Sequence, residues 1–183
     1  MNSMEWGSAM PSGEPQNSRI ERHTIAVLVD NEPGVLARVI GLFAGRGYNI
    51  DSLTVTEVSR EANESRITIV TNGSPEIIDQ IKSQLGRLVP VHVVTDLTVR
   101  GDPIERELAL VKVAGKGEKR VESLRLAEAF RAQVVDATTD HFIFEITGRI
   151  SKIENFIALM KPLGLVEVAR TGVAAIGRGP DGM

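Results

Sequence analysis

The stretch NEPGVLARVIGLFAGRGYNI, residues 31–50, decides how the first half of the chain folds. It opens with a polar turn and a Pro-Gly step. It continues as an apolar run with Val35, Val39 and Phe43 at helical spacing, and it closes at a glycine-rich turn. A β-branched run at residues 22–30 comes directly before it and is typical of a buried strand. The sequence therefore predicts a strand that passes through a tight turn into a helix.

The segments that follow complete one α+β unit. Residues 48–58 and 64–72 alternate in polarity and predict two strands of a hairpin. Residues 74–88 predict a helix capped by Ser74, and residues 90–99 predict a closing strand. The order β-α-β-β-α-β implies an antiparallel sheet with both helices on one face.

A second copy of this pattern begins after a joint at residues 101–103. It consists of a strand at 106–114, a helix at 118–132, strands at 133–140 and 141–148, a helix capped by Ser151, and a continuous final strand at 165–177. The predicted fold class is α+β, with two ferredoxin-like βαββαβ units in tandem.

The domain boundaries follow from this repeat. Residues 21–100 and 101–179 form the two predicted domains, and residues 1–20 and 180–183 form flexible tails rich in Gly, Pro and polar residues. The first tail holds Trp6 and lacks the apolar run of a signal peptide, and no segment approaches the length of a membrane span. We therefore expect a cytoplasmic protein without a membrane partner.

The amino-acid composition excludes several kinds of binding site and partner. The chain has no cysteine and a formal net charge of −3, which excludes disulfides and thiolate metal sites and disfavours nucleic-acid binding. Aromatic residues are only 4% of the chain, too few for the base-stacking sheets of RNA-binding relatives of this fold. His23, His92 and His141 stand without a patterned partner, so no metal site is expected.

The turn at the start of the quoted stretch has the chemistry of a small-molecule site. Pro33 fixes a helical φ and Gly34 permits a close approach, at a helix N-terminus whose free N–H groups suit a carboxylate. Asn31 and Asn49 offer side-chain amides. Apolar walls would come from Val35, Leu36 and Ile50. A zwitterion with an aliphatic side chain suits this set, although the same residues also form an ordinary strand-to-helix turn.

The first half resembles the ACT domain, an amino-acid-binding regulatory module. The chain as a whole, over about residues 20–179, is similar to the small regulatory subunit of acetolactate synthase. The segments that carry the resemblance are residues 31–55 (NEPGVLARVIGLFAGRGYNIDSLTV), 65–70 (SRITIV), 80–94 (QIKSQLGRLVPVHVV), 106–113 (RELALVKV) and 166–179 (VEVARTGVAAIGRG).

The resemblance implies a chain without catalytic residues or cofactors of its own. In that family the partner is a large catalytic subunit that carries thiamine diphosphate, a divalent metal and FAD and serves branched-chain amino-acid synthesis. The small subunit activates it and confers feedback inhibition, usually by valine, with leucine and isoleucine as the alternative effectors here. The resemblance also implies a homodimer through the ACT domains, with residues 101–179 helping to contact and activate the large subunit.

Carried over residue by residue, the resemblance places valine between two chains. Asn31 and Gly34, with the backbone of Val35 and Leu36, would hold it from one chain. Asn49 and Ile50 would reach it from the other chain.

Two alternatives stay open. One is a stand-alone amino-acid-sensing ACT protein that regulates a different metabolic enzyme. The other is an ACT domain fused to a catalytic domain. The second half has no cofactor fingerprint and is small for an amino-acid enzyme, so the residues favour a regulatory protein that is not an enzyme.

Overall fold

The computed structural model describes residues 19–183. The predicted N-terminal tail, including Trp6, lies outside the described residues except for Arg19 and Ile20. The described part of the chain forms two antiparallel sheets. The elements of the first half are β1 (Glu21–Asp30), α1 (Val35–Ala44), β2 (Ser52–Ser59), β3 (Glu64–Gly73), α2 (Pro75–Leu85) and β4 (Val91–Asp96).

The second half repeats the order of the first. Its elements are β5 (Ile104–Val113), α3 (Glu118–Phe130), β6 (Gln133–Ala137), β7 (Phe142–Gly148), α4 (Ile150–Met160), β8 (Leu165–Arg170) and β9 (Ala174–Ile176). The strand order is β2-β3-β1-β4 in the first sheet and β6-β7-β5-β8 in the second, and β9 pairs with the start of β5. The predicted fold class, two ferredoxin-like units in tandem, is confirmed.

Each half has its own core between the sheet and its two helices. In the first half, alternate residues of β1 and β3 point at α1 and α2. These helices contribute Val39, Phe43 and Ile81 to the core, and all three are fully buried or nearly so. In the second half, Phe144 of β7 meets Phe156 of α4 edge-on, with 6.0 Å between the ring centroids. Such pairs add to the stabilisation from apolar burial.

A third apolar cluster joins the halves. Ala26, Val70 and Leu97 are buried together with Val173 and Ala175, which come from the end of the second half. Ala26 and Val70 lie on the face of the first sheet that its helices leave open, because neighbouring strand residues alternate between faces. The C-terminal segment therefore covers the open face of the first sheet.

Hydrogen bonds fix this covering segment in register. The hydroxyl of Thr54 donates to the carbonyl oxygen of Val173 at 2.9 Å, and the N–H of Val173 donates to Oγ of Ser52 at 2.9 Å. Arg66 on β3 donates to the carbonyl oxygen of Ala175 at 2.7 Å. These groups are partly buried, and leaving them unpaired would cost free energy, so the contact is specific in position.

Two sequence predictions are wrong. The predicted continuous strand at 165–177 is broken at residues 171–173, where Gly172 has φ +81° and redirects the chain away from the edge of the second sheet. The predicted cap Ser151 lies inside the first turn of α4, because Arg149 takes the extended cap conformation. Ser74 does occupy the N-cap position of α2.

Two ion pairs lie near the joint, one within the second half and one between the halves. Oε1 and Oε2 of Glu107 accept from Nε and Nη2 of Arg170 at 2.8 and 2.6 Å, and Glu107 is only 4% exposed. Arg22 of the first half pairs with Glu105 of the second at 3.0 Å, and Thr24 also donates to Glu105, at 2.5 Å. Bidentate, charge-assisted hydrogen bonds of this kind are stronger than those between neutral groups.

The covering segment generates a first prediction. In Gly172→Ala the new Cβ would lie 2.9 Å from Oγ of Ser52 and from Cγ2 of Thr54. Gly179→Ala is the matched control, because Gly179 also has positive φ but nothing within 4 Å of the new Cβ. In urea denaturation we expect the control to lose roughly 1–2 kcal/mol and Gly172→Ala roughly 1–3 kcal/mol more. Equal losses would contradict close packing of this segment on β2.

The Glu107–Arg170 pair gives a second prediction. Arg170→Met leaves the buried carboxylate of Glu107 without its cation, whereas Glu107→Gln leaves an arginine that reaches water. We expect the free energy of unfolding to fall by about 2 kcal/mol in the first variant and about 1 kcal/mol in the second. Urea melts at neutral pH measure both values, and the reverse order would overturn the assignment of Glu107 as the desolvated partner.

Candidate effector-binding site

The turn at residues 31–34 connects β1 directly to α1. The N–H of Asn31 donates to the carbonyl oxygen of Asn63 at 2.7 Å, which holds the turn against the β2–β3 hairpin. Gly34 is the N-cap of α1 with φ +89°, a conformation that other residues rarely adopt. Asn31 is exposed, and its side chain makes no hydrogen bond to another described residue.

The N-terminus of α1 has the features of an anion site. In the part of the chain that the structure describes, no backbone carbonyl accepts the N–H groups of Leu36 and Ala37. No side chain caps this helix, and its first turn contains no acidic residue. Free N–H groups and the positive end of the helix dipole together favour a carboxylate or a phosphate.

Asn49 and Ile50 lie in the turn before β2. The side-chain amide of Asn49 donates to Oδ1 of Asp51 at 2.5 Å, and its backbone carbonyl oxygen accepts from the hydroxyl of Thr71 at 2.6 Å. Asp51 also accepts from the amide of Asn72. Ile50 packs half-buried against the first core. This turn is therefore held rigidly by polar contacts on both its side-chain and backbone atoms.

The two turns lie at opposite ends of the first sheet. Asp30, next to Asn31, pairs with Glu64 at the start of β3, whereas the turn that holds Asn49 contacts Val70 and Thr71 near its end. Val70 pairs with Thr24 of β1, and the strand between that residue and Asp30 is roughly 20 Å long at about 3.3 Å per residue. One small molecule cannot contact both turns of the same chain.

The six predicted effector residues therefore form two groups. Asn31, Gly34, Val35 and Leu36 are at one end of the sheet, and Asn49 and Ile50 are at the other. The prediction that the Val35 side chain forms an apolar wall is wrong, because that side chain is 4% exposed and belongs to the core. Its backbone is still at the helix end, and Leu36 is 38% exposed.

Sequence reasoning missed the residues that support these turns. Asp51 follows Asn49 by two positions, a spacing typical of local side-chain hydrogen bonds, so this contact could have been found in the sequence. Asn63 has φ +52° and lies far from Asn31 in the chain, so only the hairpin register identifies it.

The histidines have partners that the sequence did not reveal. Each has a ring nitrogen within hydrogen-bond distance of an aspartate oxygen: His23 and Asp96 at 2.8 Å, His92 and Asp30 at 2.7 Å, and His141 and Asp136 at 2.8 Å. Residues 19–183 contain no group of three or more side chains placed to hold a metal ion. None of the helices in the same range is long and apolar enough to cross a membrane.

Two family models match the chain, one in each half. The model for an "AHAS small subunit-like ACT domain" matches residues 25–93, and the model for the "small subunit of acetolactate synthase" matches residues 106–179. The resemblance seen in the sequence is thereby confirmed.

Relatives and a solved structure agree over nearly the whole described chain. The probable acetolactate synthase small subunit of Archaeoglobus fulgidus is 48% identical over 86% of this chain and 98% of its own. The isozyme 3 small subunit of Escherichia coli is 42% identical over 86% and 96%. The crystal structure of the small subunit from Thermotoga maritima, 40% identical, superposes with a TM-score of 0.79 over 88% of this chain and 99% of its own. The chain belongs to the family of acetolactate synthase small subunits.

Proposed function

We propose that this chain activates a catalytic subunit of acetolactate synthase and makes it sensitive to valine. The thiamine diphosphate, divalent metal and FAD needed for the reaction would belong to that large subunit, in the cytoplasm. Residues 21–100 would bind the effector and dimerise, and residues 101–179 would contact the catalytic subunit. Membership of a small-subunit family supports the existence of a larger partner.

The free helix end carries the effector assignment. The unpaired N–H groups of Leu36 and Ala37 would bind the carboxylate of valine, and the free amide of Asn31 would bind its polar groups. The exposed part of the Leu36 side chain would contact the aliphatic group. Leucine and isoleucine differ from valine by one methylene, worth only about 1–3 kcal/mol in such a pocket, so they are the natural competitors.

The second half of the site would come from a partner chain. The turn with Asn49 and Ile50 is roughly 20 Å away within one chain, so only another copy brings it to the helix end. β2 is an edge strand with exposed Val55 and Val58, and pairing it with a copy of itself would satisfy its free backbone groups. A side-by-side homodimer with two equivalent sites follows from two-fold symmetry.

Coupling to the catalytic subunit has a physical route through Asp51 and Ser52. Asn49 bonds Asp51, and the adjacent Ser52 accepts from the N–H of Val173 in the second half. Valine that prefers one arrangement of this contact would shift the equilibrium between active and less active complexes. The coupling needed is on the order of 1–3 kcal/mol.

The effector assignment gives a third prediction. Calorimetric titration of the wild-type chain with valine should saturate, and Asn31→Ala should weaken binding by about tenfold or more, because it removes a hydrogen bond to a charged ligand. Asn31 makes no side-chain bond within the described chain, so the fold should persist. Mixed with the catalytic subunit, the variant should still activate it and resist valine.

Two controls accompany this prediction. Asn155→Ala makes the same change on the exposed side of α4 and should leave valine binding unaltered. At Gly34 the pair Gly34→Ala and Gly34→Asp separates backbone strain from charge, since both variants carry the strain of φ +89°. Full valine sensitivity of Asn31→Ala would rule out the turn as the site, and joint loss of activation and inhibition would indicate faulty assembly.

A fourth prediction tests whether the site is shared between chains. Asn31→Ala and Asn49→Ala homodimers should each bind valine poorly at the shared turn site. Co-refolding equal amounts should restore strong binding at about a quarter of the sites, because half of the dimers are mixed and each mixed dimer has one site with both asparagines. Calorimetry measures the recovered fraction. If co-refolding restores nothing, Asn31 and Asn49 do not act across the dimer.

A further inference from the structure

We infer that the cleft between the two halves is a second amino-acid site, separate from the turn at residues 31–34. It encloses about 630 Å³, within the usual range for small-molecule sites. Its lining comes from residues 51–53 and Val70 of the first half, and from Ile150 and Glu154 of α4 and residues 170–173 of the second half. The inference does not depend on the proposed effector site.

Two fixed guanidinium groups supply positive charge in this cleft. Arg170 is clamped by Glu107 through Nε and Nη2, and Arg22 is clamped by Glu105 at 3.1 and 3.0 Å. A guanidinium has five N–H donors, so both arginines keep donors beyond those that their glutamates accept. Because the clamping carboxylates hold the side chains in place, a ligand would lose little free energy in ordering them.

Glu154 supplies an unpaired negative charge to the same cleft. It is exposed on α4 and makes no hydrogen bond or ion pair to another residue of 19–183. The hydrogen bonds that Arg170 donates to Glu107 raise the pKa of Arg170 above the ordinary value, and the charge of Glu154 adds a smaller contribution in the same direction. Arg170 and Glu154 both line the cleft, so one small ligand in it can face both charges.

This arrangement selects a molecule with both charges. A simple anion would be repelled by the carboxylates of Glu107, Glu154 and Asp51. A simple cation would be repelled by the two arginines. An α-amino acid carries both charges close together, so its carboxylate can bind Arg170 while its ammonium group binds Glu154. Leu53, Val70, Ile150 and Val173 add aliphatic surface to the lining. An amino acid with an aliphatic side chain is the ligand class that fits.

A ligand here would bridge the halves of a single chain. Its walls come from both halves, so binding would favour one orientation of the first sheet relative to α4. Asp51 lines the cleft and also accepts from Asn49, which lies in the predicted effector turn. Occupancy of the two sites would therefore be coupled, and the coupling would be reciprocal.

The test uses the full chain carrying Asn31→Ala, titrated by calorimetry with valine and with leucine. We expect one bound amino acid per chain, at least tenfold weaker binding after Glu154→Gln, and no binding after Ile150→Trp, which fills the cleft. Glu128→Gln on the exposed side of α3 is the matched control and should change nothing. Isovalerate lacks the ammonium and isobutylamine lacks the carboxylate, and each should bind at least tenfold more weakly than valine.

Several results would overturn the inference. They are absence of valine and leucine binding in the Asn31→Ala chain, unchanged affinity after Glu154→Gln in a variant with a normal thermal melt, or equal binding of either single-charge analogue. The same titrations on the wild-type background separate the two proposals. If the wild-type chain binds one valine, Glu154→Gln weakens that binding at least tenfold and Asn31→Ala leaves it unchanged, the cleft site stands and the turn at residues 31–34 is not the effector site.

Discussion

The packing of Val173 and Ala175 on the open face of the first sheet holds the two halves of the chain together. A four-stranded sheet with helices on one face leaves its other face to water, and here that face carries Ala26 and Val70, both fully buried or nearly so. Removing this apolar surface from water stabilises the contact by about 25 cal/mol per Å². Because the covering segment belongs to the second half, neither half keeps its native surface alone.

This contact also provides a route by which a structural change in one half can affect the other half. Ser52 and Thr54 bond Val173, and both lie on β2, the edge strand proposed to pair with a second copy. A change at the dimer edge therefore acts on the same strand that holds the second half. The Arg170–Glu107 pair reinforces this arrangement, because its buried carboxylate ties β5 to the end of β8 just before the covering segment begins.

The sequence predicts local structure well because periodicity is a local property. The spacing of Val35, Val39 and Phe43 gives α1 directly, and alternation in residues 64–72 gives β3. The break at Gly172 was not predictable from local pattern. The next residue, Val173, forms hydrogen bonds with Thr54 and Ser52, which lie 119 and 121 positions earlier in the chain. The site was predicted as a set of residues, but their separation across the sheet depends on strand register, which hydrophobic pattern alone does not specify.

Separation of the two turns has a mechanical consequence for regulation. A site completed by a second chain responds to how two copies are arranged, because its halves move together only when the copies do. The cleft beside Glu154 is built within one chain, so its occupancy would respond to how the two halves of that chain are arranged. Asp51 contacts both regions through its neighbour Asn49 and the cleft wall. Regulation of a catalytic partner would then depend on how two copies are arranged and on how the two halves of each copy are arranged. The carboxylate of Asp51 would link the two.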